Sequence, residues 1–118
     1  MATIRQKKFA DRIKQIVSEI IDRKVKDPQK GFITVTHVKV SGDLHIASIY
    51  FTVLGDSSDV EQSLTVLDRA KNFIRVELAH HLESKFVPEI RFFVDDTMEY
   101  ARNIDTLLKG LDKNKNQR

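Results

Sequence analysis

The sequence predicts an α+β domain with a three-stranded mixed sheet covered by helices on one face. Three observations lead there. Residues 4–26 and 60–85 place apolar side chains every third or fourth position, the period of a helix face. Residues 32–40, 44–54 and 89–94 are rich in β-branched and aromatic residues and mostly alternate, as strands do. Strands two and three are separated by a long helical stretch, so they should pair in parallel through a right-handed crossover. The expected strand order is 1-2-3.

The first helix is expected over residues 4–26. Phe9, Ile13, Ile16, Val17, Ile20 and Ile21 form its apolar stripe. Asp27-Pro28 ends it, because a residue before proline avoids the α region. On a helical wheel Arg5, Lys8, Arg12, Arg23 and Lys26 share one flank of the stripe with Glu19, a flank roughly 30 Å long. Alone, such a flank reads as a solvated face.

A hairpin follows. The apolar phase of residues 32–40 shifts between Ile33/Val35 and Val38/Val40, which predicts a bulge near Thr36-His37. Ser41-Gly42-Asp43 is the turn. The second strand, residues 44–54, becomes continuously apolar at Ile49-Tyr50-Phe51, as expected of a strand covered on both faces. After Gly55-Asp56, Ser58 with Glu61 reads as the capping box of the next helix.

That helix carries the candidate site. Val60, Leu64, Leu67, Ile74, Leu78, His81 and Leu82 keep one face, but a straight run puts Lys71 in the middle of the stripe. Burying an unpaired ammonium is costly. A break at Ala70-Lys71-Asn72 avoids that cost, and Asn72 suits it because Asn tolerates positive φ. On this reading Asn72→Gly is tolerated. The junction then gathers Arg69, Lys71 and Arg75 beside a helix N-terminus, an arrangement that suits phosphate.

Pro88 leads into the third strand, residues 89–94. A last helix is expected from Asp95-Asp96-Thr97, with Met98, Ala101, Ile104, Leu108 and Leu111 as its stripe. Residues 1–111 thus read as a single domain and 112–118 as a short polar tail, expected to be disordered.

Composition narrows the function. The 118 residues hold no Cys and no Trp. That excludes a disulfide framework, an iron–sulfur cluster, a thiolate zinc site and a Cys nucleophile. No apolar run approaches a membrane span and the start lacks a signal segment, so the expected compartment is the cytoplasm. Net charge is +3, but residues 1–30 carry nine Lys/Arg against four acids. Such segregation favours an anionic partner.

Several stretches together resemble the type II KH fold, and more closely the ribosome-binding factor A family. They are Arg23-Lys24-Val25-Lys26-Asp27-Pro28, Ile33-Thr34-Val35-Thr36-His37-Val38-Lys39-Val40-Ser41, Ile49-Tyr50-Phe51-Thr52-Val53-Leu54-Gly55, Val87-Pro88-Glu89-Ile90-Arg91-Phe92, and Arg102-Asn103-Ile104-Asp105-Thr106-Leu107-Leu108. Glycines stand only at 31, 42, 55 and 110, so the Gly-x-x-Gly loop of ordinary KH domains is absent. The family's Ala-x-Gly signature between two kinked helices is met by Ala70-Lys71-Asn72, with Asn in place of Gly. The resemblance implies an α-β-β-α-kink-α-β fold with an added C-terminal helix. It also implies an assembly factor that binds immature 30S subunits and their 16S rRNA. Such factors aid processing of the rRNA 5′ end, are associated with growth in the cold, and catalyse no reaction of their own. The implied RNA-binding residues are Arg69, Ala70, Lys71, Asn72 and Arg75, widened by Arg5, Lys8, Arg12 and Arg23. No cofactor, metal, membrane or small-molecule substrate is implied, and a monomer is expected.

Other features have simpler readings. His80, His81 and Glu83 suggest a metal, but adjacent helical residues point about 100° apart, so His81 reads as a packed, hydrogen-bonded histidine. Asp95, Asp96 and Glu99 suggest Mg²⁺ or acid–base work, yet at a helix start acids serve as caps. Phe73, Phe86, Phe92 and Phe93 would stack on bases if exposed, but at helical or strand spacing they read as core. Two alternatives remain: a KH-like module with a non-ribosomal RNA target, and a module that docks on ribosomal protein.

Overall fold

The computed structural model describes residues 2–83 and 86–95. The last helix, expected from Asp95-Asp96-Thr97 to Leu111, lies outside these residues apart from Asp95, and the tail at 112–118 lies wholly outside them. The element order is α1 (Ile4–Lys24), β1 (Phe32–Val40), β2 (Ile46–Leu54), α2 (Ser57–His81) and β3 (Glu89–Val94).

α1 starts at a capping box, in which Thr3 accepts from the Gln6 backbone and the Gln6 side chain accepts from the Thr3 backbone. It ends two residues earlier than expected. Val25 is already extended, at φ −91° and ψ 96°, and its N–H donates to the Ile20 carbonyl.

The hairpin pairs β1 and β2 antiparallel, and its register slips between Val35 and His37, so Thr36 is the bulge residue. The turn uses Ser41 and Asp43 as expected: Ser41 Oγ donates to Asp43, which also accepts from the His45 N–H. The left-handed residue is Leu44 (φ 64°), not Gly42. Burial of the Leu44 side chain offsets that backbone strain. The turn also delays β2 to Ile46, two residues after its expected start.

β2 pairs in parallel with β3, from Ile46 opposite Glu89 to Phe51 opposite Val94, and the strand order is β1-β2-β3. Burial along β2 alternates, so it is not sealed on both faces. Ala47, Ile49, Phe51 and Val53 join Ile33, Val35 and Ile90 against α1 and α2. Tyr50 points the other way. Its ring stacks on His37 at 4.4 Å and on Phe93 at 5.4 Å, with Lys39 Nζ 5.7 Å from its centroid. Lateral aromatic packing, rather than a second helical layer in the described residues, accounts for the apolar run at Ile49-Tyr50-Phe51.

α2 is capped two residues earlier than Ser58-Glu61 suggested. Gly55, at φ 133°, turns the chain so that Asp56 accepts from the Asp59 N–H and Asp59 accepts from the Asp56 N–H. The Asp59 N–H bond, foremost, holds the Asp56 carboxyl below its ordinary range. From there α2 runs unbroken for 25 residues to His81, packing Leu67, Ile74 and Leu78 into the core.

Candidate nucleic-acid interface

The break expected at Ala70-Lys71-Asn72 does not occur. All three residues lie inside α2, and among the described non-glycine residues only Leu44 has positive φ, so Asn72 is ordinary helix. Lys71 is nonetheless not sealed inside, but half-buried. The physical reason lies across the helix, at the start of β3. Glu89 stands there, and its carboxyl is lowered first by the Arg91 hydrogen bond and further by the charges of Lys71 and Arg75. A flexible stem can cover apolar surface while its ammonium stays in water, so a half-buried Lys71 does not require the helix to open.

The other two cations of the expected cluster diverge. Arg75 donates from Nε to the Pro88 carbonyl at 3.1 Å and from Nη2 to the Val87 carbonyl at 2.8 Å, fixing the entry to β3. Arg69 turns towards the end of α1, where its Nη2 donates to Asp27 at 2.8 Å and to Gln29 at 3.4 Å. The Gln29 N–H and then Arg69 hold the Asp27 carboxyl below its ordinary range. Arg69 and the Lys71–Arg75 pair therefore serve different flanks of α2, Lys71 lying about 200° and Arg75 about 240° round the helix from Arg69.

On the Arg69 flank the fold builds a slot of about 300 Å³ between the end of α1 and the middle of α2. Val25, Val66, Ala70 and Phe73 supply apolar walls, and Lys24, Lys26, Arg69 and Asp27 supply the charges. Lys24 Nζ lies 2.6 Å from Glu77 Oε1, and this bond is the main cause of the lowered Glu77 carboxyl. Ala70 lines this groove from within an unbroken helix rather than at a kink.

Sequence reasoning assigned Phe73 to the core, but Phe73 is 44% exposed and Val76, one turn on, is 56% exposed. The signal was available: Phe73 and Val76 follow Arg69 by four and seven positions, on the polar face. Phe86 and Phe93 are also exposed, and only Phe92 of that group is core. Lys24 was missed as well, because it sits off the basic flank of α1 until Glu77 of α2 draws it in.

Arg5, Lys8 and Arg12 line a second groove of about 580 Å³ with Ile4, Phe9, Leu44, Leu82 and Glu83. Arg12 also donates to the His81 carbonyl at 3.1 Å, a cation at the C-terminus of α2. Arg23 lies exposed at the opposite end of α1, so the flank is divided between two ends of the helix. His81 is exposed rather than packed, with Nδ1 2.9 Å from the Glu77 carbonyl oxygen. Asp95 is buried and accepts from the Thr36 hydroxyl, while Asp96 and Glu99 lie outside the described residues. No group of three potential metal ligands occurs among the described residues, and no described helix is long and apolar enough to cross a membrane.

The sequence profile of the family described as Ribosome-binding factor A matches residues 5–108. The chain belongs to the ribosome-binding factor A family. A ribosome-binding factor A from Macrococcus caseolyticus (strain JCSC5402) is 38% identical over 113 residues, covering 96% of this chain and 99% of that protein. A solution NMR structure of a Thermotoga maritima protein superposes with a TM-score of 0.70 at 28% identity, covering 79% of this chain and 89% of that one. Thermus thermophilus ribosome-binding factor A, as fitted into a cryo-EM map of a 30S complex, has a TM-score of 0.61 at 25% identity. It covers 71% of this chain and 88% of that chain. Within the ribosome-binding factor A family, then, this member keeps the three-stranded sheet and carries Asn72 inside an unbroken α2.

Proposed function

We propose that the chain binds immature small ribosomal subunits through 16S rRNA and promotes their late maturation, including processing of the rRNA 5′ end, without a reaction of its own. The observation that carries this is the slot between α1 and α2, where Lys24, Lys26 and Arg69 converge around Ala70 in a member of this family. The Thermus relative's 30S complex supports the same partner. Arg5, Lys8, Arg12 and Arg23 extend the phosphate contacts along α1, and Lys71 and Arg75 extend them on the β3 side. Phosphate contacts position the protein, while the shape of the immature RNA supplies selectivity.

The mechanism is differential affinity. A protein that binds the immature arrangement more tightly than the mature one stabilises the former and leaves when the latter forms. It acts as a monomer in the cytoplasm, and its contribution is greatest in the cold, where misfolded RNA arrangements persist.

Sedimentation of cell extract at low salt tests the reading. The protein should travel with free small subunits and leave them as salt rises, with log affinity falling by about 0.7–0.9 per phosphate contact per unit of log salt. Sedimentation away from subunits at every salt concentration would reject it. Weak salt dependence with retained subunit binding would instead indicate a ribosomal-protein dock.

A further inference from the structure

We propose that the slot between α1 and α2 receives one unpaired base of the bound RNA, with Phe73 as the ring on which it stacks. This rests on the RNA-binding reading and assigns its base-holding element. Phosphate alone has no use for apolar walls, and here Val25, Val66, Ala70 and Phe73 line a space with cations at its rim. Base on aromatic ring, phosphates on lysine and arginine, is the combination by which proteins hold single-stranded nucleic acid. The slot's volume of about 300 Å³ accommodates a nucleobase and its sugar.

The charges point the same way. Lys24, Lys26 and Arg69 face one rim acid, Asp27, with Glu77 beside Lys24. The Lys24 and Arg69 side chains are 49% and 55% exposed while Glu77 and Asp27 are 17% and 27% exposed, so phosphate can reach the outer side of either cation with its carboxylate still in place. Lys26 is exposed and has no ion-pair partner among the described residues. The aromatic residue sits at the mouth, where water would otherwise favour a polar side chain, and every base offers it a π-face.

The experiment compares the full chain with Phe73→Leu, Phe73→Trp and the pair Lys26→Gln/Arg69→Gln. Its probes are purified immature small subunits and a short single-stranded rRNA fragment carrying one 2-aminopurine, whose fluorescence is quenched on stacking. Circular dichroism establishes folding of each variant. Phe73→Leu should weaken both associations roughly 5- to 100-fold, abolish the quenching and leave the salt slope unchanged. Phe73→Trp should retain or tighten binding. The glutamine pair should lower the salt slope by about 1.4–1.8 while quenching survives at saturation.

A folded Phe73→Leu that binds and quenches like the parent, while the glutamine pair weakens binding, overturns the base slot and leaves the RNA surface standing. If the parent binds and neither variant alters binding, the slot is overturned alone; if the parent binds neither the RNA fragment nor the subunit, the RNA-binding reading fails with it. Loss confined to intact subunits, with the RNA fragment bound normally, would assign Phe73 to a ribosomal protein and also overturn the slot.

Discussion

Arg69 on α2 holds Asp27, beyond the end of α1, with Nη2 2.8 Å from Oδ2. This one ion pair ties the middle of the long helix to the segment leading into β1, and it forms one wall of the candidate RNA slot. Because both side chains remain partly exposed, the tie orients more than it stabilises.

That tie makes a pH prediction. The folded Asp27 carboxyl lies below its ordinary value, chiefly through the Gln29 N–H and then Arg69. A lowered folded pKa adds stability above the unfolded value of 3.8, and that increment disappears as pH falls through the folded pKa. Asp27→Asn should therefore be less stable than the parent at neutral pH. The gap should narrow in thermal melts taken from about pH 5 to about pH 3. RNA affinity should hold or rise slightly, since Arg69 is then free for phosphate.

Lys71→Glu sets a new carboxylate near Glu89 and removes a cation from the β3 flank. It should stay folded by circular dichroism, because Lys71 is only half-buried. Affinity for immature subunits should drop several-fold, and the salt slope should fall by at least about 0.7. Unchanged binding would take Lys71 out of the interface.

Asn72 offers a test of the helix itself. In an exposed helix interior, Asn72→Ala should stabilise the protein by about 0.5 kcal/mol, and Asn72→Gly should cost a few tenths of a kcal/mol. A left-handed Asn72 would reverse both signs. Urea unfolding of the two variants reads the difference.

Gly55→Ala should be far worse. A Cβ built there meets Asp59 Oδ2 at 2.1 Å, and φ of 133° disfavours any L side chain. The change strains the turn and displaces the acid that completes the α2 cap. We expect a loss of about 1–3 kcal/mol in urea unfolding.

Much of the architecture was legible because it follows from periodicity and chain punctuation. β3 spans the six residues expected, the bulge falls at Thr36, and the parallel pairing of β2 with β3 follows from the helical connection. The cap of α2 was misplaced because Asp56 became the N-cap only through the unusual backbone of Gly55. Of the residues that line the slot, the sequence points to Arg69 and Ala70, offers Phe73 for stacking only if exposed, and gives no sign of Lys24. An ammonium in an apolar stripe marks Lys71 as unusual, but the stripe does not reveal what faces it, so the sequence cannot tell a broken helix from a half-buried lysine on a whole one.

The sequence by itself determined where α1 and the three strands fall to within about two residues, and how the strands are ordered and paired. Those follow from local period, turn chemistry and the handedness of crossovers. Only the tertiary structure decided that α2 stays whole, that Arg69 and Lys71 serve opposite flanks, and that Phe73 reaches solvent beside α1. Each depends on the distance between side chains far apart in the chain, where a carboxylate such as Glu89 or Asp27 sits opposite a cation and sets the direction it takes.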